Sequence, residues 1–310
     1  MDVSRFVIEA SEAESMANQA GLSVKDLLST LVGSSQKLAR CPISNFSVAA
    51  VGLGSDGRIF LGVNLEFPGV PLHHSVHAEQ FLITNLSLNL SPGLSAFAVS
   101  AAPCGHCRQF LQEVRNASKT QILITTDESP KFNPLSLLLP IPFGPYDLLD
   151  EETPLLPEPH DNRLKFLFIE DTTKPCNLSN GSCELYKKNR HLLKEEALKA
   201  ANNSHAPYSG SPSGIALMDC EGRIYKGSYL ESAAFNPSLG PVQTALISYV
   251  ASGGGYGYER IVAAVLVEKE AAPVMQEDTA KLLLKVVSPK CHLQVFHCVS
   301  DSDSDSIKKQ

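Results

Sequence analysis

The feature that most constrains this chain is an internal echo. Displaced by 165 positions, Pro42 falls on Pro207, Ser44 on Ser209, Gly57-Arg58-Ile59 on Gly222-Arg223-Ile224, Gly62 on Gly227 and Leu65-Glu66 on Leu230-Glu231, without a gap. Prolines and glycines are backbone landmarks, so their match in register reports a duplicated folding unit and not a shared composition. A chain of 310 residues, 43% of them hydrophobic, has room for two such units, each with a core of its own.

The first copy reads as helices alternating with strands. Ser11-x-x-Glu14 has the form of a capping box and predicts a short helix ending at Gly21. Val24, Leu27, Leu28, Leu31 and Leu38 recur at helical spacing and predict a second helix ahead of Pro42. Residues 46–53 and 58–63 flank the turn cluster Gly54-Ser55-Asp56-Gly57, the pattern of a β-hairpin. A helix follows over 76–88 with Phe81, Leu82 and Leu86 inward, then a strand over 96–101, a helix starting at Pro103 and a strand over 121–125. Such alternation argues a sheet covered by helices. Residues 126–182 are broken by proline and glycine and read as a connector on the surface, although 165–169 looks strand-like. At the end, Asp301 to Asp305 alternates with serine, a composition that buries nothing.

The chemistry lies in Val76-His77-Ala78-Glu79-Gln80 and Pro103-Cys104-Gly105-His106-Cys107. One imidazole and two thiolates make three ligands for tetrahedral zinc and leave the fourth position open, the mark of a reacting site. Both ligand groups fall at predicted helix starts, where the positive end of the dipole favours thiolates, and Arg108 stands beside them. Glu79, two residues from His77, is placed to move protons, the role that the H-x-E…P-C-x-x-C pattern gives it. A structural zinc site would need a fourth ligand. His106 would have to turn against its own helix, and His73 and His74 precede an uncertain turn. A redox C-x-x-C would leave His77 and Glu79 unused. The second copy keeps the frame and loses the chemistry, with Val242 and Thr244 at the His77 and Glu79 positions and no cysteine pair after Pro273.

Composition narrows the partners. A formal charge of −7, no tryptophan and no run of Lys or Arg disfavour a polynucleotide, which demands a basic face. No apolar stretch approaches the ~18 residues of a membrane span, and no secretory pattern opens the chain, so a cytosolic location is expected. Asn85-Leu86-Ser87 and Asn180-Gly181-Ser182 then read as chance glycosylation matches. Eight cysteines are too sparse for a disulfide scaffold. Cys176 and Cys183, and Cys291 and Cys298, form two pairs with six residues between partners, which is not zinc spacing. Asn64-Leu65-Glu66 sets an amide and a carboxylate on one face of an extended segment, suited to sugar hydroxyls but equally to a solvated surface pair.

Ser44-Asn45-Phe46, Asn64-Leu65-Glu66, the two zinc motifs through Arg108-Gln109-Phe110, Phe143-Gly144-Pro145, His205-Ala206-Pro207-Tyr208-Ser209 and Ala233-Ala234-Phe235-Asn236-Pro237 together resemble the cytidine deaminases of the two-domain, homodimeric type. The resemblance implies an α/β chain of two α/β/α sandwich domains, the second degenerate. It divides the chain into an N-terminal helical segment (1–40), a catalytic domain (41–150), a connector (151–183), a non-catalytic domain (184–299) and a tail (300–310). It implies zinc-dependent hydrolytic deamination of free cytidine and deoxycytidine to uridine and deoxyuridine with release of ammonia, in pyrimidine salvage, with no nucleic-acid or membrane partner. It also assigns roles: Zn2+ on His77, Cys104 and Cys107; proton transfer by Glu79; ribose hydroxyls on Asn64 and Glu66; base stacking on Phe46; the pyrimidine edge on the Ala78 N–H and the Ala102 carbonyl. Phe235 would close the pocket of the partner chain. Two rivals have distinct marks: a polynucleotide-editing deaminase would need a basic, aromatic groove, and a non-enzymatic zinc module would tolerate loss of Glu79.

Overall fold

A short strand, β1 (Val7–Ile8), delivers the chain into helix α1 (Ala10–Ala20). Because Val7 and Ile8 are paired with Phe60 and Ile59, the helix starts with Glu9 at its N-cap, ahead of Ser11, and the expected Ser11 capping box does not form. Its other end matches the sequence: Gly21 takes the left-handed conformation at φ 65° and its N–H returns to the last turn. Ser23 caps α2 (Val24–Ser35), accepting the Asp26 N–H at 3.1 Å, and α2 buries Leu27, Leu28, Leu31 and Val32. In this computed structural model the described residues are 5–166, 180–255 and 257–300.

Two compact units result. The first comprises residues up to Pro159 together with Ser232–Ser238 and Ala251–Gly253; the second comprises His160–Glu231, Leu239–Val250 and the chain from Gly254. In the first, β2 (Ala49–Gly54), β3 (Ile59–Val63), β4 (Leu94–Val99), β5 (Gln121–Ile124) and β6 (Asn133–Pro134) join β1 in the order β1-β3-β2-β4-β5-β6. All neighbours are antiparallel except β4 and β5. Helix α2 packs on β2 and β4, and α3 (Ala78–Leu88) packs on β3 and β2. The short helix α4 (Gly105–Phe110) follows β4.

The second unit holds β7 (Leu164–Phe166), α5 (Asn180–Asn202), β8 (Ser213–Asp219), β9 (Ile224–Ser228), α6 (Pro241–Ala251), β10 (Ile261–Lys269), α7 (Glu277–Val287) and β11 (His292–Ser300). Its sheet runs β7-β11-β10-β8-β9 with β10 and β11 parallel, so β9-β8-β10-β11 reproduces β3-β2-β4-β5 of the first unit. The repeated glycines explain themselves here. A Cβ on Gly62 would stand 2.2 Å from the Ala78 carbonyl oxygen, and one on Gly227 would stand 2.1 Å from the Ala245 nitrogen. In both copies a helix backbone lies on the strand where only glycine leaves space.

The stretch after β5 does more than connect. Leu135, Leu155 and Leu156 are fully buried, and the Arg115 guanidinium gathers the Glu158 carboxylate, the Tyr146 hydroxyl and the carbonyls of Glu151 and Thr153. Cys291 and Cys298 are pushed up to about 12 by burial, which keeps both as thiols. Cys176, the Cys183 side chain and the expected tail from 301 onward lie outside the described residues.

Candidate metal centre

Two helix starts converge on one point. His77 is the N-cap of α3, and the Gln80 side chain accepts its backbone N–H at 3.1 Å, fixing the turn that presents the imidazole. Cys104 is the N-cap of α4, which therefore begins at Gly105 and not at Pro103. The Pro103 carbonyl instead accepts from Arg108 Nε at 2.8 Å, and Arg108 also donates to the Leu138 carbonyl at 3.0 Å, so this guanidinium braces loops. Cys107, one turn into α4, is buried behind Cys104.

Three donors meet there. His77 Nδ1 lies 3.4 Å from Cys104 Sγ and 3.2 Å from Cys107 Sγ. Tetrahedral zinc with Zn–S near 2.3 Å and Zn–N near 2.0 Å requires donor separations of about 3.6 Å, so the set fits the ion with shifts of a few tenths of an ångström. Hydrogen bonds from the Cys107 thiol and from His77 pull Cys104 down to about 3, a thiolate at neutral pH. The same contact with Cys104, together with burial, pushes Cys107 up, as for a second thiol crowded against a thiolate. Hydrogen bonding to Cys104 is also the first cause holding His77 above the usual imidazole range. Glu79 is 4% exposed, with Oε2 3.3 Å from Cys107 Sγ, and burial raises its carboxyl above the ordinary value. A buried carboxyl raised in this way and set beside the metal donors is suited to accept and return protons.

A cavity of about 470 Å³ opens over these donors, lined by Phe46, Asn64, Glu66, His77, Ala78, Glu79, Ala102 and Cys104 among others. The structure thus brings together every expected pocket residue of the first unit, with Cys107 beneath the floor. It adds Leu72, Ser75, Val48 and Ala101, whose small or apolar side chains left no sequence signal. Phe46 lies 61% exposed on the rim.

Asn64 and Glu66 are engaged with the loop that precedes β2. Glu66 accepts the backbone N–H of Ile43 at 2.8 Å and of Ser44 at 3.0 Å, and the Ser44 hydroxyl at 2.5 Å. Asn64 accepts the Val48 N–H at 2.8 Å and donates to the Phe46 carbonyl at 2.9 Å. Both side chains hold the 42–48 loop that carries Phe46. In the second unit Glu231 does the same for Tyr208 and Ser209, without a metal set beside it. Thr244, at the Glu79 position, turns its hydroxyl back to the carbonyls of Ser228 and Pro241.

Phe235 is 67% exposed at φ 63° and is not among the residues lining the cavity, so it is no core phenylalanine. Its segment, Ser232–Ser238, packs with the first unit. Gln80 Nε2 donates to the Pro237 carbonyl at 3.1 Å, Glu113 accepts the Ala233 N–H at 2.8 Å, and His106 Nε2 meets the Asn236 carbonyl at 3.0 Å.

A three-donor zinc set over a buried carboxylate, at paired helix starts on an α/β sheet, defines the zinc-dependent deaminase class. Residues 24–124 and 135–281 each match the family described as cytidine and deoxycytidylate deaminase zinc-binding region. The chain belongs to the cytidine deaminase family, with zinc as its cofactor. It is 58% identical to cytidine deaminase 1 of Arabidopsis thaliana, over 96% of this chain and 99% of that one, and 47% identical to cytidine deaminase 7 of the same plant, over 97% and 96%. The crystal structure of cytidine deaminase from Mycobacterium tuberculosis is 30% identical, covers 39% of this chain and 97% of its own, and superposes with a TM-score of 0.35.

Proposed function

We propose that this protein hydrolyses free cytidine and 2'-deoxycytidine to uridine and deoxyuridine, releasing ammonia, and so returns pyrimidine nucleosides to use. The observation that carries this reading is the buried Glu79 carboxylate beside the His77, Cys104 and Cys107 donors, in a cavity that Asn64 and Glu66 also line. Zinc, when bound, supplies the Lewis acidity that makes water a nucleophile near neutral pH. Glu79 takes a proton from the attacking water and passes it to N3 of the base, then takes the proton of the new C4 hydroxyl and delivers it to the departing amine, so that cytidine and water become uridine and ammonia. The Ala78 N–H and the Ala102 carbonyl orient the pyrimidine edge, and Phe46 stacks on its face. Glu66 and Asn64 have most of their hydrogen-bonding capacity committed to the 42–48 loop, and meet the ribose hydroxyls with what remains.

A homodimer in the cytosol is the expected setting. The described cysteines are all free, as suits a reducing compartment. Among the described residues no helix is long and apolar enough to cross a membrane. The division into a catalytic domain over 41–150 and a non-catalytic one over 184–299 belongs to the same reading, supported by the loss of donors at Val242 and Thr244. An exposed phenylalanine in the left-handed region supports the idea that Phe235 closes the partner chain's pocket.

Ammonia release from cytidine, measured beside a cytosine-containing oligonucleotide, tests the activity: turnover of the nucleoside alone is expected, and turnover of the oligonucleotide alone would overturn the reading. Refolding Glu79→Ala and Phe235→Ala chains together tests the dimer. If Phe235 serves the partner, the mixture recovers roughly a quarter of wild-type activity, since half the dimers are mixed and each holds one intact site. If Phe235 serves its own chain, mixing gains nothing over the separate variants.

A further inference from the structure

We propose that the second unit carries a divalent-cation site of its own, built from Glu268, Glu277 and His297. Among the described residues two groups bring three metal-competent donors within 4.8 Å of one another: His77 with Cys104 and Cys107, and this one. The fold makes it from three elements. Glu268 and His297 are paired across the parallel strands β10 and β11, so their side chains leave the sheet on one face, and Glu268 Oε1 lies 3.7 Å from His297 Nε2. Glu277 is the first residue of α7.

The Glu268 carboxylate is what points to a ligand. Its side chain is 1% exposed. Oε2 accepts the Gln276 N–H at 2.8 Å, which fixes the carboxylate, while Oε1 is buried and accepts no hydrogen bond. A buried carboxylate oxygen without a donor is costly, and a cation among the three donors removes that cost. His297 turns its other nitrogen, Nδ1, toward Glu270 Oε2 at 3.5 Å, the carboxylate-backed arrangement that metal-binding histidines use to fix their ring.

Glu277 and His297 are 33% and 38% exposed, so an ion has a route in from solvent. One oxygen of Glu277 contacts Lys281 at 2.5 Å, an exposed pair one helical turn apart of the kind that contributes little and yields readily. An imidazolium at His297 alone would stand beyond hydrogen-bonding distance of Oε1 and leave it unsatisfied. Two carboxylates and an imidazole form a mixed oxygen and nitrogen set, which suits a first-row ion such as Zn2+ better than Mg2+ or Ca2+. The ion would pin β10, β11 and the start of α7 together.

The test is metal content of the full chain after equilibration with micromolar Zn2+ and desalting. Wild type should retain about two zinc ions per chain, and His297→Gln and Glu268→Gln about one each, with cytidine deamination kept. His297 lies on a half-exposed strand face, so His297→Gln gives a reading even where loss of the Glu268 charge disturbs folding. A second measurement uses Cys104→Ala, in which the first-unit donor set is broken: added Zn2+ should still raise its melting temperature by several degrees, and should not do so in Cys104→Ala/His297→Gln. One zinc per chain in wild type, unchanged metal content in His297→Gln, or no zinc-dependent shift in Cys104→Ala would each overturn the site.

Discussion

Replacing Glu66 by glutamine removes a charge while keeping shape, and the duplicated chain supplies its own control in Glu231→Gln. Both carboxylates accept two backbone N–H groups and a serine hydroxyl in the same turn. Glutamine can hold both N–H groups on its one oxygen and turn its amide to the serine oxygen, so what is lost is the charge assistance of three bonds. At about 0.5–1 kcal/mol each, trimmed for partial exposure, that amounts to roughly 1–2 kcal/mol in either unit. Melting temperatures should fall by about 3 to 6 °C for either variant. Activity should separate them: if Glu66 also accepts a ribose hydroxyl, Glu66→Gln lowers kcat/KM for cytidine about tenfold while Glu231→Gln leaves it unchanged. Equal melting losses with unchanged kcat/KM in both would refute the sugar contact, and no melting loss in Glu66→Gln would refute the turn argument. The pH dependence has a definite sign. Burial works to raise Glu66, but the Ser44 hydroxyl and the N–H groups of Ser44 and Ile43 hold it below its ordinary value of 4.5. Stability from a depressed carboxyl is present above the unfolded value and lost as pH falls through the folded one, so the gap between wild type and Glu66→Gln should narrow below about pH 4.5.

Other perturbations give equally definite outcomes. Glu79→Ala should keep the zinc of the first unit while turnover falls by about two orders of magnitude or more, as metal analysis beside kinetics will show; loss of that zinc would make Glu79 a ligand. Cys104→Ala leaves two protein ligands and should lose that zinc, lowering metal content by about one ion per chain; full retention would exclude Cys104 from the set. Gly62→Ala places a methyl group against the backbone of α3 and should destabilise by about 1–3 kcal/mol or more in denaturant melts, and Gly227→Ala likewise; a neutral effect at both would disprove the close approach.

The donor set is legible in the sequence because its spacing is a local property: His77 and Glu79 share one helix start, and Cys104 and Cys107 another. Gly62 and Gly227 are legible as a repeat, but why they must be glycine appears only with α3 and α6 lying on them. The start of α4 departs from the sequence pattern because Pro103 is favourable at a first helical position, whereas here its carbonyl is held by Arg108 and the turn begins at Cys104. Glu66 announces a carboxylate on an extended face, yet not the loop it holds, since the donors on Ile43 and Ser44 are backbone groups that no side-chain pattern encodes. The grouping of Ser232–Ser238 with the first unit rests on partners 157, 120 and 130 positions away, beyond the reach of any periodicity.

That segment bears on where the polypeptide can be cut. A chain ending at Pro159 would contain every metal donor and every pocket-lining residue of the first unit, and on paper it is a minimal enzyme. It would also strip the Ala233 N–H from buried Glu113 and the Pro237 carbonyl from Gln80, the residue whose side chain sets His77. Removing the second half therefore loosens the first-unit helix start that aims the imidazole, and a truncated chain is expected to hold its zinc less firmly than the full one. Ser232–Ser238 comes late in the chain yet belongs with the first unit, so no single cut of the polypeptide separates the two copies.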